Sequence, residues 1–246
     1  MNLPVAIPSY KRSTSISQKT LAFLASVGYP ADKISIFVAD TSEEELYRKA
    51  VPKELYGQIV IGVSGLAQQR NFITNYYQEN QIYIGMDDDI RKIDCPFKNF
   101  CGIISDAVAR IETGEGGLFG VLPNDDKRRY SDDTTSHLSH IIGSFFICRN
   151  HREILVTHTE KDDYERSILY FKRYGKIFRY RGAGVATSYC GGSGGLQQEG
   201  RSERMLEGVL NLVARYPGLC KRKDKNGMPD VTLLWRAVLA VEPGGS

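Results

Sequence analysis

The sequence predicts an α/β protein with a mostly parallel central sheet flanked by helices. Three observations predict it. Over the first ninety residues, strand-like apolar runs alternate with helix-like runs, an order that builds parallel sheets. Strand-like runs such as IYIGM are apolar throughout, as strands covered on both faces must be. Each strand also closes on polar residues, and ligands of such sheets bind beyond the carboxyl ends of the strands.

VAIPSY (5–10) reads as the first strand. SISQKTLAFLASVG (15–28) reads as a helix, with apolar residues at 16, 21, 23, 24 and 27 and a stop at Gly28. ISIFVAD (34–40) is the second strand, and Thr41 or Ser42 is placed to cap the EEELYRK helix, whose first turn is acidic. QIVIGV (58–63) is the third strand, LAQQRNFITNYYQEN (66–80) a long helix, and IYIGM (82–86) the fourth strand. The polar ends are Ser9 to Arg12, Asp40, Ser64-Gly65 and Asp87 to Asp89.

The second half is less regular. FKNFCGIISDAVARIETG (97–114) reads as a helix stopped by Gly114, GGLFGVLP (116–123) as a strand and NDDKRRYSDDTTS (124–136) as a polar loop. HIIGSFFICR (140–149) reads as a buried strand. EKDDYERSILYFKRYG (160–175) is a helix, acidic at its start and basic at its end, which complements its dipole. KIFRYRGAGVAT (176–187) is a strand or hairpin, and RMLEGVLNLVARYPG (204–218) a helix ended by Pro217 and Gly218. With no internal repeat and no long linker, residues 1–246 read as one domain with halves at 1–93 and 94–246.

Composition sets the class. The 246 residues are 41% hydrophobic and 25% charged, ordinary for a soluble globular protein. No apolar run approaches the roughly 20 residues that span a bilayer, and the N-terminus lacks a signal-peptide layout, so no membrane association is expected. Five cysteines (95, 101, 148, 190, 220) without CxxC spacing read as reduced thiols of a cytoplasmic protein and argue against zinc. A net charge of +3 permits a polyanionic partner without requiring one.

The strongest chemical signal is the run Asp87-Asp88-Asp89. Adjacent carboxylates repel unless something positive sits among them. In a D-x-D spacing on an extended turn, Asp87 and Asp89 face one way and Asp88 the other, and Asp87 and Asp88 are also expected to contact a nucleotide sugar. Two such carboxylates suit Mn2+ or Mg2+, shared with a nucleotide diphosphate that the cation stabilises as a leaving group. The competing reading is a solvated acidic turn. Pro8, Ser9, Tyr10 and Arg12 turn the backbone beside two cations, which suits a phosphate or ribose; a plain basic loop is the alternative. Asp40 could accept from a nucleobase or ribose, or cap a helix. Gln69 and Arg70 open the helix after the third strand, where they could reach a diphosphate or face solvent.

These stretches, "VAIPSYKRSTSISQKTLAFL", "ISIFVAD", "QIVIGVSGLAQQRNFI" and "IYIGMDDDI", resemble GT-A glycosyltransferases. More narrowly they are similar to the TET-associated, base J glucosyltransferase-like enzymes of phages. The resemblance implies a Rossmann-like fold whose first half binds a nucleotide sugar, a UDP-sugar donor, and transfer to the hydroxymethyl group of a modified pyrimidine, 5-hydroxymethylcytosine, in DNA. It implies residence in the cytoplasm of an infected host. It also implies a carboxylate base at a helix start, which points to Asp163 and, second, to Asp162. The third metal ligand of many GT-A enzymes, a C-terminal His, has no counterpart, because His137, His140, His151 and His158 all precede that pair. His137 and His140 read as structural or acceptor-facing. The glycine-rich segment 188–201 reads as a lid over the donor, with Arg201 or Arg204 as a clamp. The basic stretches 127–129, 172–181 and 221–225 suit a nucleic-acid strand. Other readings are a transferase acting on a glycan or protein, a nucleotidyltransferase, and a non-catalytic binding module.

Overall fold

The computed structural model describes residues 3–187, 200–225 and 227–236. Its first half follows the predicted alternation. β1 (Val5–Pro8), α1 (Thr20–Ser26), β2 (Ile34–Val38) and α2 (Thr41–Ala50) lead to β3 (Gln58–Ile61), α3 (Leu66–Tyr76) and β4 (Ile82–Met86). β1 and β2 are buried at every position, as strands with helices on both faces are. β3 is the sheet edge, and its terminal residues are exposed.

The second half holds β5 (Ile90–Asp94), α4 (Phe100–Glu112), β6 (Leu118–Leu122), β7 (Thr134–Thr135) and β8 (Phe145–Arg149). It ends with α5 (Asp162–Tyr174), β9 (Phe178–Thr187), α6 (Arg201–Arg215), β10 (Cys220–Lys225) and β11 (Met228–Leu233). One nine-stranded sheet runs β3-β2-β1-β4-β8-β6-β9-β5, with β7 added on β9. β1 to β4, β6 and β9 share a direction, and β5, β7 and β8 oppose it. The sheet is therefore mixed but mostly parallel. One apolar core, with Leu24, Tyr47, Ile104 and Ala107, lies under α1, α2 and α4. The other, with Ile73, Ile168, Phe171 and Leu212, lies under α3, α5 and α6.

Several boundaries differ from expectation for local reasons. The helix expected from residue 15 begins at Thr20, because the preceding turn hangs on the Arg12 carbonyl, which accepts from the amides of Ser15 and Ile16. Asp40, not Thr41 or Ser42, caps α2 and accepts from the Glu43 amide at 2.9 Å. The strand expected at 140–149 starts only at Phe145. Leu138 and Ile141 are buried from an irregular loop instead, so their apolarity reflects burial rather than strand pairing. Two elements leave no clear trace in the sequence. β5 follows the acidic run at once and pairs with β9, and the β10–β11 hairpin hides its period under the charges of KRKDK.

Candidate active site

The acidic run forms the turn from β4 to β5. Thr20 clasps it from α1, donating to the Asp87 carbonyl at 2.6 Å and accepting from the Ile90 amide at 2.9 Å. The side chains alternate as a D-x-D turn demands: Asp88 is 4% exposed, whereas Asp87 and Asp89 are half-buried. Asp88 accepts from Ser9 Oγ and, at 2.6 Å, from Arg12 Nη1, which also lies 3.4 Å from Asp89. Beneath them the buried Tyr47 hydroxyl bonds Ser9 Oγ at 2.6 Å and accepts from the Arg12 amide at 3.1 Å. Burial pushes the Asp88 carboxyl up despite Arg12 and Ser9. Asp88 and Arg12 thus brace each other, and in this arrangement Asp88 presents no free oxygen to a nucleotide.

A chain of charges runs from this turn to the start of α5. Arg70 of α3 is 6% exposed; its Nη2 donates to Asp87 Oδ1 at 2.5 Å and to the Gly143 carbonyl at 3.0 Å. Its Nε lies 3.7 Å from Asp162 Oδ2, which also accepts from Arg166 Nη2 at 2.7 Å. Burial opposes the Arg70 charge, but Asp87 and Asp162 outweigh it and push the guanidinium up. Arg70 is expected from the sequence to reach a diphosphate; it instead links carboxylates from two parts of the chain.

The two acids opening α5 differ sharply. Burial pushes Asp162 up to about 6 against the pull of Arg166, with repulsion from Asp163 adding to it. Asp163 Oδ2 pairs with His140 Nε2 at 2.7 Å and accepts from the Gly143 amide at 3.3 Å. Its Oδ1 accepts from the Tyr164 amide at 2.9 Å. Burial opposes its charge too, yet His140, Arg166 and the Gly143 amide hold it well below the usual carboxylate range. A carboxylate so well satisfied is a weak proton acceptor.

Other expected residues take different places. Asp40 is the α2 cap described above. Gln69 is 5% exposed and its amide ties two strand ends, donating to the Val38 carbonyl and accepting from the Val63 amide; it braces the sheet rather than facing a donor. Pro8 ends β1, and Tyr10 is the exposed ring of its loop. Arg201 opens α6, and its Nε is buried without a hydrogen-bond partner among the described residues. Most of the expected lid, residues 188–199, lies outside the described residues, as does Cys190. His151 is buried between Glu79 and Tyr174 and is structural.

A divalent cation fits the turn. Among the described residues no three His, Cys, Asp or Glu side chains gather into a ready-made metal cage. Mg2+ and Mn2+ usually need only one or two carboxylates plus substrate oxygens. Asp87 and Asp89 offer these, and burial with repulsion from Asp87 and Asp88 pushes Asp89 up to about 6, a charge excess that Arg12 leaves uncancelled.

Sequence reasoning missed a cleft of about 420 Å³ next to this network. The loop before β8 supplies His137, Leu138, Ser139 and His140; β11 supplies Val231 and Leu233; Tyr164, Arg179 and Trp235 complete it. Its residues come from four separate stretches, 137–140, 164, 179 and 231–235, and only the two histidines and Arg179, within the basic stretch 172–181, gave any signal.

No protein-family model matches the chain, and no curated protein matches it. Solved structures do. Glucosyl-3-phosphoglycerate synthase from Mycobacterium tuberculosis, in complex with Mn2+, UDP-glucose and phosphoglyceric acid, matches at a TM-score of 0.53 and 11% identity, over 95% of this chain and 87% of that one. S. aureus TarS matches at 0.52 and 14%, over 87% of this chain but 40% of that longer one. Apo UDP-glucose pyrophosphorylase matches at 0.50 and 10%, over 88% and 100%. The fold is GT-A. At these identities the likeness is one of architecture, and a GT-A fold alone fixes neither reaction nor acceptor. Among the described residues, no helix is long and apolar enough to cross a membrane.

Proposed function

We propose that this chain is a metal-dependent hexosyltransferase that moves a sugar from a UDP-sugar to the hydroxymethyl group of 5-hydroxymethylcytosine in DNA. The observation that carries the reading is the chain of contacts from Asp87 through Arg70 to Asp162 and, by way of Gly143, to Asp163. It joins the sheet rim where a donor would sit to the helix start where an acceptor would be deprotonated. Asp87 and Asp89 would hold Mn2+ or Mg2+, which when bound neutralises the departing diphosphate. Ser9, Tyr10 and Arg12 form the donor loop, and Arg70 fixes the orientation of Asp87.

DNA as acceptor is supported by charge placement. Burial depresses the Arg179 guanidinium, and Arg129 and Arg181 lie close enough to add to it; the exposed basic strand β10 pairs with β11, which lines the cleft. Nucleotidyl transfer is disfavoured by the Pro8–Arg12 turn, which lacks a glycine-rich phosphate loop. The test is incubation with Mn2+, a panel of UDP-sugars and 5-hydroxymethylcytosine DNA, followed by nucleoside mass spectrometry. One added hexose per modified base is expected, and its loss in D87A/D89A. No added mass with any donor would overturn the DNA reading.

A further inference from the structure

The cleft beside Asp163 has features that the donor chemistry does not use. Ser139 is 4% exposed, yet its Oγ is buried with no hydrogen-bond partner among the described residues. The Nε of Arg179 is in the same condition. Buried polar atoms left unpaired are costly and rare, so two among the residues lining one cleft point to a polar ligand there. The same cleft is lined by flat rings: His140 stacks on Tyr164 at 4.0 Å, and His137 leans on Trp235 at 5.7 Å. Arg179 can only donate, and among the described residues no carboxylate lines the cleft. A sugar, whose hydroxyls must donate as well as accept, is poorly served there. A planar heterocycle with a carbonyl edge fits the rings with its faces and Ser139 and Arg179 with its edge.

His140 stands at the inner end of this cleft. Its Nε2 meets Asp163 at 2.7 Å, so with that carboxylate ionised Nε2 is the protonated nitrogen. Nδ1 is then the basic nitrogen, and it makes no hydrogen bond to protein among the described residues. Gly143 ties Asp163 to Arg70 and so to Asp87, which links this imidazole to the turn that carries Asp87.

We propose that the cleft seats the acceptor nucleobase and that His140, rather than Asp163, takes the proton of its hydroxymethyl group. The inference rests on the sugar-transfer reading above. The hydroxyl proton passes to Nδ1 as the oxygen forms its bond to the anomeric carbon. The bond from that carbon to the diphosphate oxygen breaks, and its electron pair leaves on the nucleoside diphosphate. Asp163 is the positioning residue: it fixes the ring and balances the imidazolium.

Trp235 is the only tryptophan of the chain, so its emission reports on the cleft alone. Titrating the full chain with a single-stranded oligonucleotide carrying one 5-hydroxymethylcytosine should quench it, with binding about fivefold weaker in R179M. Unchanged emission, or quenching by methyl glucoside instead, would overturn the base-pocket assignment. With saturating UDP-sugar and Mn2+, H140Q should lose about 100-fold or more in kcat with KM nearly unchanged. Added imidazole should partly restore H140A but not D163N, which retains His140 and loses its positioning partner. An H140Q rate within threefold of the parent would overturn the role of His140. Calorimetry of UDP-sugar with the parent protein separates the two layers: absent donor binding counts against the transferase reading, while the emission arm still decides the cleft.

Discussion

Among single residues, Asp89 and Arg70 make the sharpest predictions. Asp89 titrates near 6 in the folded chain instead of its ordinary 3.8. A carboxyl raised on folding holds its proton more tightly in the native state, so native stability falls as pH climbs from about 4 through about 6. D89N removes that penalty. It should be more stable than the parent above pH 7, on the order of 1 kcal/mol, with the difference vanishing near pH 4 in urea titrations. The same variant should no longer gain thermal stability from Mn2+, whereas the parent should. Arg70 works the other way, because R70M leaves half-buried Asp87 without its cation and Asp162 with Arg166 alone. A loss of about 3 kcal/mol is expected by urea denaturation, and a loss below 0.5 would show that the network relaxes without it. The alternation of Asp87, Asp88 and Asp89 is legible from spacing. The span of Arg70 is not, because a pair across 73 residues leaves no periodic trace.

For the elements, the loop before β8 is the instructive failure. Its apolar residues read as strand, yet Ile141 is buried by packing on β6. A Cβ on Gly120 would lie 2.4 Å from Ile141 Cγ2, closer than any real side chain sits. G120A should therefore push out the loop that carries Ser139 and His140. Transfer should fall at least tenfold, with the thermal midpoint lowered by a few degrees. Equal activity in G120A would mean the loop does not hold these residues in place. Hydrophobic period locates the regular strands and α5 well. It does not separate a buried loop from a buried strand, since both hide apolar side chains.

At the scale of the molecule, the fold is readable because four strand–polar-end units in succession leave few topologies open. The cleft is not, since its walls meet only after the sheet is assembled. Arg129 and Arg181 lie near Arg179 of the cleft, and the basic β10 pairs with a strand that lines it; this charge carries a salt prediction. Oligonucleotide affinity should fall linearly on a log–log salt plot. K221Q/R222Q/K225Q should flatten the slope by about 2, near 0.7 for each single-strand phosphate that the protein no longer neutralises. An unchanged slope in fluorescence anisotropy would remove the hairpin from the interface.

The reversed direction of β8 between β4 and β6 has a consequence for how such a protein can diversify. Because it runs against its neighbours, the segment entering it, not the one leaving it, arrives at the same rim as the aspartates, and the Ser144 carbonyl accepts from the Asp87 amide there at 3.0 Å. On the proposed transferase reading, recognition and leaving-group chemistry are thereby written on strands of opposite sense. Mutational drift confined to 137–139 could then retune what is modified while Asp87, Asp89 and His140 stay untouched.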